Sequence, residues 1–291
     1  MKSANFLIGA ALEDSTKTVY KNAWRILKGF PLSHGLPLTL PLMECNLIVF
    51  VAYLFENNYA ASTIQTMVSA ISYVHNLGGF LDPSKSFIVK KLLQGSKKIN
   101  KSADVRLPIT MNILKQLLKA SDYIFKSNFD RLCFKSMCIL AFHALLRIGE
   151  MTNSKHNLNL ENVQVNAFSV MINFPHYKHN GNGASLHLQI NSDPLICPVR
   201  ILNQYINLRG SSPGPFFINN DNTPVSRVQF VRKLNTMLDV CNLSREKFKS
   251  LSFRIGGATH LAQIGRSELQ IKQAGRWESN AFRRYTRINC M

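Results

Sequence analysis

Tyr285 lies near the end of the sequence among four arginines, in the stretch GRWESNAFRRYTR. The four are Arg276, Arg283, Arg284 and Arg287. Guanidinium groups repel one another, so four of them in so short a stretch are costly unless something anionic joins them. The stretch is therefore either a solvated basic tail or part of a site that is built around phosphate.

Further side chains that could take part in a reaction are spread along the chain, and each also has an ordinary structural interpretation. Arg147, in LLRIGE, follows an apolar helix candidate and could pair with the helix dipole. Lys178 lies in a turn-rich stretch, PHYKHNGNG, where lysines are usually solvated. Arg254, in LSFRIGGATHLA, could belong to a buried ion pair, and Trp277 could be a core residue. None of these residues indicates a function by itself.

Taken in order, these residues resemble the motif set of one family. The order arginine, lysine, arginine, tryptophan, tyrosine is that of the tyrosine recombinases, which are phage-integrase-like site-specific recombinases. The resemblance runs through the whole chain. The stretches SFRIGGATHLA and GRWESNAFRRYTR are most similar to recombinases of eukaryotic mobile elements, the Crypton, Ngaro and DIRS-like groups.

The resemblance implies a role for each residue. Tyr285 would attack a DNA phosphorus and form a 3′-phosphotyrosyl bond. Arg147 and Arg254 would hold the non-bridging oxygens of that phosphate, with the indole N–H of Trp277 as a third donor. Lys178 would protonate the leaving 5′-oxygen as a general acid. Because the covalent intermediate retains the bond energy, the reaction implied needs neither a metal ion nor any other cofactor.

Two further positions bear on this site. Glu150, three residues after Arg147, matches an acidic position of the family that supports the site. Leu251 stands where the family has a histidine, and leucine can neither donate a hydrogen bond nor assist proton transfer. Leu251 therefore keeps open a second hypothesis, a domesticated or decayed recombinase that binds DNA without cutting it. A type IB topoisomerase shares the chemistry, but the first half of the chain looks more like a recombinase.

The composition favours a polyanionic partner. The 291 residues include 35 Lys and Arg against 16 Asp and Glu, a formal net charge of +19. This excess predicts binding to nucleic acid or to an acidic membrane surface, and the family resemblance implies that the partner is double-stranded DNA. A membrane is the weaker alternative, because the longest apolar stretch, 137–146, is half the length of a spanning helix of about 20 residues. The six cysteines form no CxxC pair, which indicates reduced thiols in an intracellular protein and argues against a zinc site.

A second group of basic residues is predicted to contact the DNA backbone. Between positions 85 and 106 the chain carries seven basic residues and a single acid. Together with the arginines around the tyrosine, the predicted contacts are Lys90, Lys91, Lys97, Lys98, Lys101, Arg276, Arg283, Arg284 and Arg287. The family resemblance implies a dimer or tetramer on paired DNA sites. It also implies a nuclear protein in a eukaryotic host, or a nucleoid or cytoplasmic one in a prokaryote.

The predicted elements that position these residues are mostly helices. Residues 1–95 are predicted to form a helical core-binding domain, residues 96–106 a basic linker, and residues 107–291 a mixed α/β catalytic domain. Apolar residues at helical spacing predict helices over 15–30, 45–58, 63–78, 111–120 and 133–151, and one beginning near Ser226. FSVMINF and SLHLQI alternate with a period of two, so they predict a small antiparallel sheet around the Asn-Gly turn.

Overall fold

The computed structural model describes residues 2–34, 39–100, 104–175, 184–189, 191 and 193–287. The chain divides into two units, Met1–Ala103 and Asp104–Met291, and each is described by itself. The fold is mostly helical with one small antiparallel sheet, as predicted from the sequence. Within the described ranges, no helix has both the length and the apolar character that crossing a bilayer requires.

The first unit is a helical bundle. Its core consists of apolar side chains from α2, α3 and α4, such as Leu27, Phe50 and Ile64, all of which are buried. The α4 helix starts at Ala61, and the preceding residue, Ala60, provides no side-chain cap. The helices are α1 (Lys2–Ala10), α2 (Asp14–His34), α3 (Glu44–Glu56), α4 (Ala61–Leu77) and α5 (Phe87–Ile99).

The α5 helix extends into the segment that was predicted to be a linker, 96–106. Ser86 caps its N-terminus by accepting a hydrogen bond from Val89 N at 3.1 Å. Val89 and Ser96 are buried, so one face of α5 belongs to the core of the bundle. Lys97 and Lys98 therefore lie on a helix. The apolar residues between the lysines recur at helical spacing, and their burial stabilises the helix.

The second unit is built around one central helix. Nearly every side chain of α7 from Leu132 to Phe142 is buried, and α7 contacts α6, α9 and α11. Thr110 caps α6 by accepting from Ile113 N at 3.3 Å, as its position before the apolar stretch predicts. The helices are α6 (Met111–Ile124), α7 (Asn128–His143), α8 (Ile148–Met151), α9 (Pro198–Arg209), α10 (Arg227–Val240), α11 (Ser250–Gln263) and α12 (Glu268–Gly275).

The helix predicted over 133–151 is in fact two helices. The α7 helix ends at His143, Leu145 has a positive φ of 50°, and α8 begins at Ile148. The continuous apolar pattern hid this break, because residues 144–146 are buried whether or not they are helical. Arg147 consequently lies at the N-terminus of α8 and not at the C-terminal dipole of α7.

A three-stranded antiparallel sheet completes the unit, in the order β1-β2-β3, with β1 (Val163–Val165), β2 (Ser169–Phe174) and β3 (Ala184–Gln189). Val170 pairs with Leu188 and Ile172 with Leu186, so the predicted alternation places one face of the hairpin on the core. Phe168 does not continue this face and is exposed. Lys178 lies outside the described residues, between the two paired strands.

The α10 helix begins after Ser226 as predicted, and part of its predicted inward face is buried. Ser226 accepts from Gln229 N at 3.2 Å and caps the helix. Apolar residues at helical spacing predict an inward face of Val228, Val231, Leu234 and Leu238. Leu234 and Leu238 are buried as predicted, whereas Val228 is 77% exposed and Phe230 is buried instead. The Phe230 ring contacts Phe134 of α7 and Phe253 of α11. Burying this ring removes more apolar surface from water than burying a valine would.

Candidate active site

Arg147 and Glu150 are positioned by the break between α7 and α8. Arg147 is the residue before the first turn of α8, and its backbone N–H donates to Glu150 Oε2 at 2.8 Å. The Arg147 guanidinium also donates to Glu150 Oε1 at 3.0 Å. Glu150 is buried, while the Arg147 side chain retains 29% exposure. One carboxylate thus fixes the arginine and leaves part of its guanidinium open to a ligand.

Arg254 is carried into the same region by α11 and is 1% exposed. Its Nη1 donates to Leu145 O at 2.9 Å and its Nη2 donates to Gly275 O. Its guanidinium carbon lies 4.4 Å from the ring centroid of Trp277 and 5.6 Å from that of Tyr285. Within the described part of the chain, Arg254 Nε has no hydrogen-bond partner.

Two glycines allow α11 to reach this position. A Cβ added at Gly256 would collide with the backbone carbonyl of Ile109, and one added at Gly257 would collide with the carbonyl of Phe142. Only glycine permits the helix to pack this closely on both segments. The Gly-Gly step two residues after Arg254 is therefore a positioning feature of the site, and its signal is visible in the sequence.

Arg276 is buried beside Glu150 and exposes only 6% of its surface. Its Nη2 donates to Glu150 Oε2 at 2.8 Å, its Nη1 donates to Ala144 O at 3.1 Å, and its guanidinium lies 4.0 Å from the Phe174 ring centroid. Arg276 was predicted to contact DNA. The structure uses its guanidinium inside the protein, where it secures the loop between α7 and α8.

Among the described residues, Glu150 is the carboxylate that pairs with Arg147 and Arg276, and the Arg254 guanidinium lies in the same cluster. Burial by itself raises the pKa of Glu150, but Arg276 and Arg147 outweigh it and hold that pKa below its usual value. Burial lowers the pKa of Arg254 to about 9, and repulsion from Arg147 and Arg276 adds to the effect. The excess positive charge makes the cluster suitable for binding an anion with several acceptor oxygens.

Replacing Glu150 by glutamine should destabilise the protein. The change leaves buried guanidiniums without a counter-charge, and breaking a buried ion pair typically costs about 3–5 kcal/mol. We expect the free energy of unfolding, measured by urea denaturation, to fall by about that amount in Glu150→Gln. A matched control is Glu268→Gln, which removes an exposed ion pair with Arg283 (3.1 Å). Equal stability of the two variants would contradict the counter-charge role.

Tyr285 follows a short 3₁₀ helix, Asn280–Arg284, and its amide donates to Phe282 O at 2.8 Å. Phe282 is buried against Ile271 and Ala258, which anchors the turn. The Tyr285 ring centroid is 5.0 Å from that of Trp277, at an interplanar angle of 41°. The aromatic pair and the Arg254 guanidinium therefore form one contiguous group, with the tyrosine half-buried at its edge.

The remaining predicted site residues occupy several environments. Leu251 is partly buried in the first turn of α11, one turn before Arg254. Arg283 is exposed and pairs with Glu268, Arg284 is exposed, and Arg287 pairs with Asp104 at 2.5 Å. The predicted DNA-contacting lysines that the structure describes are exposed on α5: Lys90, Lys91, Lys97 and Lys98. Lys101 lies outside the described residues, as Lys178 does.

A basic face of α2 was missed from the sequence. Lys17, Lys21, Arg25 and Lys28 recur at helical spacing and line a cavity of about 550 Å³ together with Tyr20, Trp24 and Tyr73. The indole N–H of Trp24 is buried and has no hydrogen-bond partner among the described residues. The signal is visible in TKTVYKNAWRILK, where every third or fourth residue from Lys17 to Lys28 is cationic.

The fold is similar to that of solved recombinases and integrases. A lambda integrase dimer bound to a COC′ core site matches with a TM-score of 0.67 at 13% identity, over 98% of this chain and 75% of that chain. The Tn1549 transposon integrase in complex with transposon right end DNA matches with a TM-score of 0.68 at 11% identity, over 98% of this chain and 93% of that chain. The XerH site-specific recombinase bound to difH substrate matches with a TM-score of 0.61 at 15% identity, over 84% and 67%.

Comparisons at the level of sequence give no such match. No protein-family model matches the chain. No curated protein matches it either. The likeness is one of three-dimensional structure, and it extends over nearly the whole chain. The protein therefore has the fold of the tyrosine recombinases.

Proposed function

We propose that the protein is a site-specific DNA recombinase or integrase that cuts and rejoins DNA through a 3′-phosphotyrosyl intermediate. One observation carries the proposal. A buried cluster with more guanidiniums than carboxylates lies directly beside Tyr285, whose ring is 5.6 Å from the Arg254 guanidinium. A phosphodiester has the charge and the acceptor oxygens that would satisfy such a cluster, and a phenol beside it would supply the nucleophile for attack on phosphorus.

The proposed reaction is a transesterification. The half-buried Tyr285 oxygen loses its proton to solvent water and forms a bond to phosphorus, while the bond from phosphorus to the 5′-oxygen breaks. Lys178 supplies a proton to the leaving oxygen. Arg147 and Arg254 stabilise charge on the non-bridging oxygens, and the indole N–H of Trp277 adds a donor. The reverse reaction reseals the strand, so the scheme uses no metal ion or nucleotide cofactor.

Several features support duplex DNA as the partner. The net charge is +19, and exposed cations stand on α2 and α5 of the helical unit as well as beside Tyr285. The matched lambda integrase and Tn1549 integrase were solved with DNA. Exchange of strands needs two sites, so a homodimer or homotetramer on paired DNA is part of the proposal. The finer likeness, to recombinases of eukaryotic mobile elements with a nuclear location, is supported by the two motif stretches alone.

The proposal is tested by trapping the covalent intermediate. Nicked duplexes with a randomised central region would be incubated with the protein, and DNA bound to protein under denaturing conditions would be sequenced. The nick lets the short cut end diffuse away, which prevents religation. We expect recovery of covalent adducts that share a sequence. Binding of the same pool without any adduct would refute the enzyme and favour the non-cutting DNA-binding hypothesis.

DNA affinity should depend steeply on salt. Each phosphate contact releases counterions, so the slope of log affinity against log salt falls by about 0.9 for each phosphate that is neutralised. We expect the double variant Lys97→Gln/Lys98→Gln to flatten the slope by about 2, measured by fluorescence anisotropy. Lys135→Gln is the control, since that ammonium already pairs with Asp122 at 2.7 Å. An unchanged slope would exclude α5 from the DNA interface.

Leu251 separates the enzyme from the non-cutting alternative. A histidine there would stand one turn before Arg254 and add a donor to the phosphate, worth about 1–3 kcal/mol or roughly 10- to 100-fold in cleavage. We expect Leu251→His to cleave faster than the wild type at an unchanged melting temperature. Absence of cleavage in both proteins, with a lower melting temperature for the variant, would favour the non-cutting hypothesis.

A further inference from the structure

Asp104, Arg106 and Arg287 form an ion-pair cluster that the proposed chemistry does not use. Arg106 Nε donates to Asp104 Oδ1 at 2.6 Å, and Arg106 Nη2 donates to Asp104 Oδ2 at 2.9 Å. Arg287 Nη2 donates to the same Oδ2 at 2.5 Å, and its Nη1 donates to the backbone carbonyl of Arg106. The carboxylate is thus shared by two guanidiniums whose positions in the sequence are 181 residues apart. We refer to these three residues as the Asp104 cluster.

Arg287 connects this cluster to the proposed nucleophile, which is two residues earlier. The amide of Arg287 donates to Thr259 Oγ1 at 3.1 Å, and the same hydroxyl lies 3.2 Å from the carbonyl oxygen of Tyr285. Thr259 is buried on α11, one and a half turns after Arg254. The segment after Tyr285 is therefore held to α11 through Thr259 and to Asp104 through the Arg287 side chain.

The other side of the cluster is also anchored to α11. Leu107 N donates to Lys247 O at 2.7 Å and Ile109 N donates to Ser252 O at 2.9 Å, so the segment after Arg106 runs beside the start of that helix. Asp104 is thereby held in place relative to Arg254. A carboxylate fixed in this way can set the distance between Tyr285 and Arg254.

The electrostatics agree with this geometry. The hydrogen bonds from Arg106 outweigh burial and lower the pKa of Asp104 to about 2, with a smaller contribution from Arg287. Asp104 raises the pKa of Arg106, and the Tyr285 phenol contributes to the same shift. The guanidinium of Arg106 therefore lies within electrostatic reach of the proposed nucleophile.

We infer that Asp104, Arg106 and Arg287 are positioning residues that hold the Tyr285 segment against α11 and keep its phenol at the arginine cluster. The inference rests on the proposed function for its effect on cleavage, while the hold on the segment is a property of the free protein. The Asp104 carboxylate acts through Arg287, and Arg106 orients that carboxylate. Neither Asp104 nor Arg287 needs to touch the scissile phosphate.

The first test measures the hold itself, by hydrogen exchange of the full-length protein without DNA. Asp104→Asn keeps the shape of the side chain and removes its charge. We expect the amides of residues 282–287 to exchange about 10-fold faster or more, with the core of α7 unaffected. The control Asp239→Asn breaks a comparable pair with Arg245 (Nε to Oδ1, 2.6 Å) elsewhere on the surface. Unchanged exchange in residues 282–287 would overturn the inference, whatever the protein does to DNA.

The second test measures the rate of adduct formation on a nicked duplex under single-turnover conditions. We expect Asp104→Asn to lower the rate about 10-fold or more at unchanged DNA affinity, and Asp104→Glu to restore part of it. Replacing the leaving 5′-oxygen by sulfur removes the need for an acid, so the defect should persist on that substrate if placement of the tyrosine is at fault.

The outcomes are distinguishable. Faster exchange with a wild-type rate, or recovery of the rate on the sulfur substrate, would overturn a positioning role for the cluster. Absence of an adduct from the wild-type protein would instead refute the proposed function. The exchange measurement would then decide by itself whether the cluster holds the segment.

Discussion

Replacing Tyr285 by phenylalanine should abolish the covalent protein–DNA adduct and leave DNA affinity within about two-fold of the wild type. The change removes one oxygen from a half-buried ring, so the contacts of that ring with Trp277 and Arg254 should survive. Only the nucleophile is lost, and a step that lacks its nucleophile has no alternative route to the same intermediate. Denaturing electrophoresis of the protein with a labelled nicked duplex measures the adduct directly.

The matched control is Tyr123→Phe on α6, where the tyrosine is 89% exposed. We expect this variant to form the adduct at the wild-type rate. If the adduct persists in Tyr285→Phe, another tyrosine is the nucleophile. Tyr177, which lies outside the described residues, would be tested next.

Replacing Arg254 by lysine should reduce cleavage about 100- to 1000-fold, because loss of one preorganised donor typically has an effect of that size. The charge is retained, but an ammonium cannot reproduce the planar fork that reaches both Leu145 O and Gly275 O. The guanidinium is also stacked against the Trp277 ring, 4.4 Å from its centroid, and lysine lacks this flat contact. Single-turnover cleavage at saturating protein, together with the melting temperature, measures the effect.

Arg209→Lys provides the control for a buried guanidinium. Arg209 is also nearly inaccessible, and it donates to four carbonyls of the loop that follows α9. We expect this variant to be less stable but to cleave at the wild-type rate for each folded molecule. Wild-type cleavage by folded Arg254→Lys would contradict the assignment of Arg254 to the phosphate site.

The sequence by itself predicted the fold class, which the structure confirms, and it supplied the candidate site residues on which the proposed function rests. Helical spacing predicted α2, α3, α4 and α6, and a period of two predicted the β2–β3 pairing, because local periodicity reports which face of an element is buried. The Asn-Gly steps predicted a turn between these strands, at residues that lie outside the described ranges. The order of Arg147, Arg254, Trp277 and Tyr285 was readable in the same way, since it depends only on residue types and spacing.

Local sequence patterns gave wrong predictions where two different structures would bury the same apolar residues. Residues 144–146 are apolar and buried in a loop, so the pattern could not show that α7 stops before Arg147. Val228 and Phe230 are both apolar, and only the packing of α10 decides which one faces the core. The lysines of α5 favoured the prediction of a basic linker from residue 96, although the apolar face of residues 87–99 makes this segment a helix.

Tertiary structure alone decided the partners of the charged groups. The sequence predicts that Arg276 is a surface cation beside Tyr285. In the structure it is buried against Glu150, which is 126 residues earlier in the chain. Arg287 reads as part of the same basic stretch, yet it is held by Asp104, 183 residues away. Sequence spacing carries no information about such pairs, because their distance is set by how α11 packs on α7, on α12 and on residues 107–109. The sequence determined that arginines surround a tyrosine, and the packing determined which of them remain available to an anion.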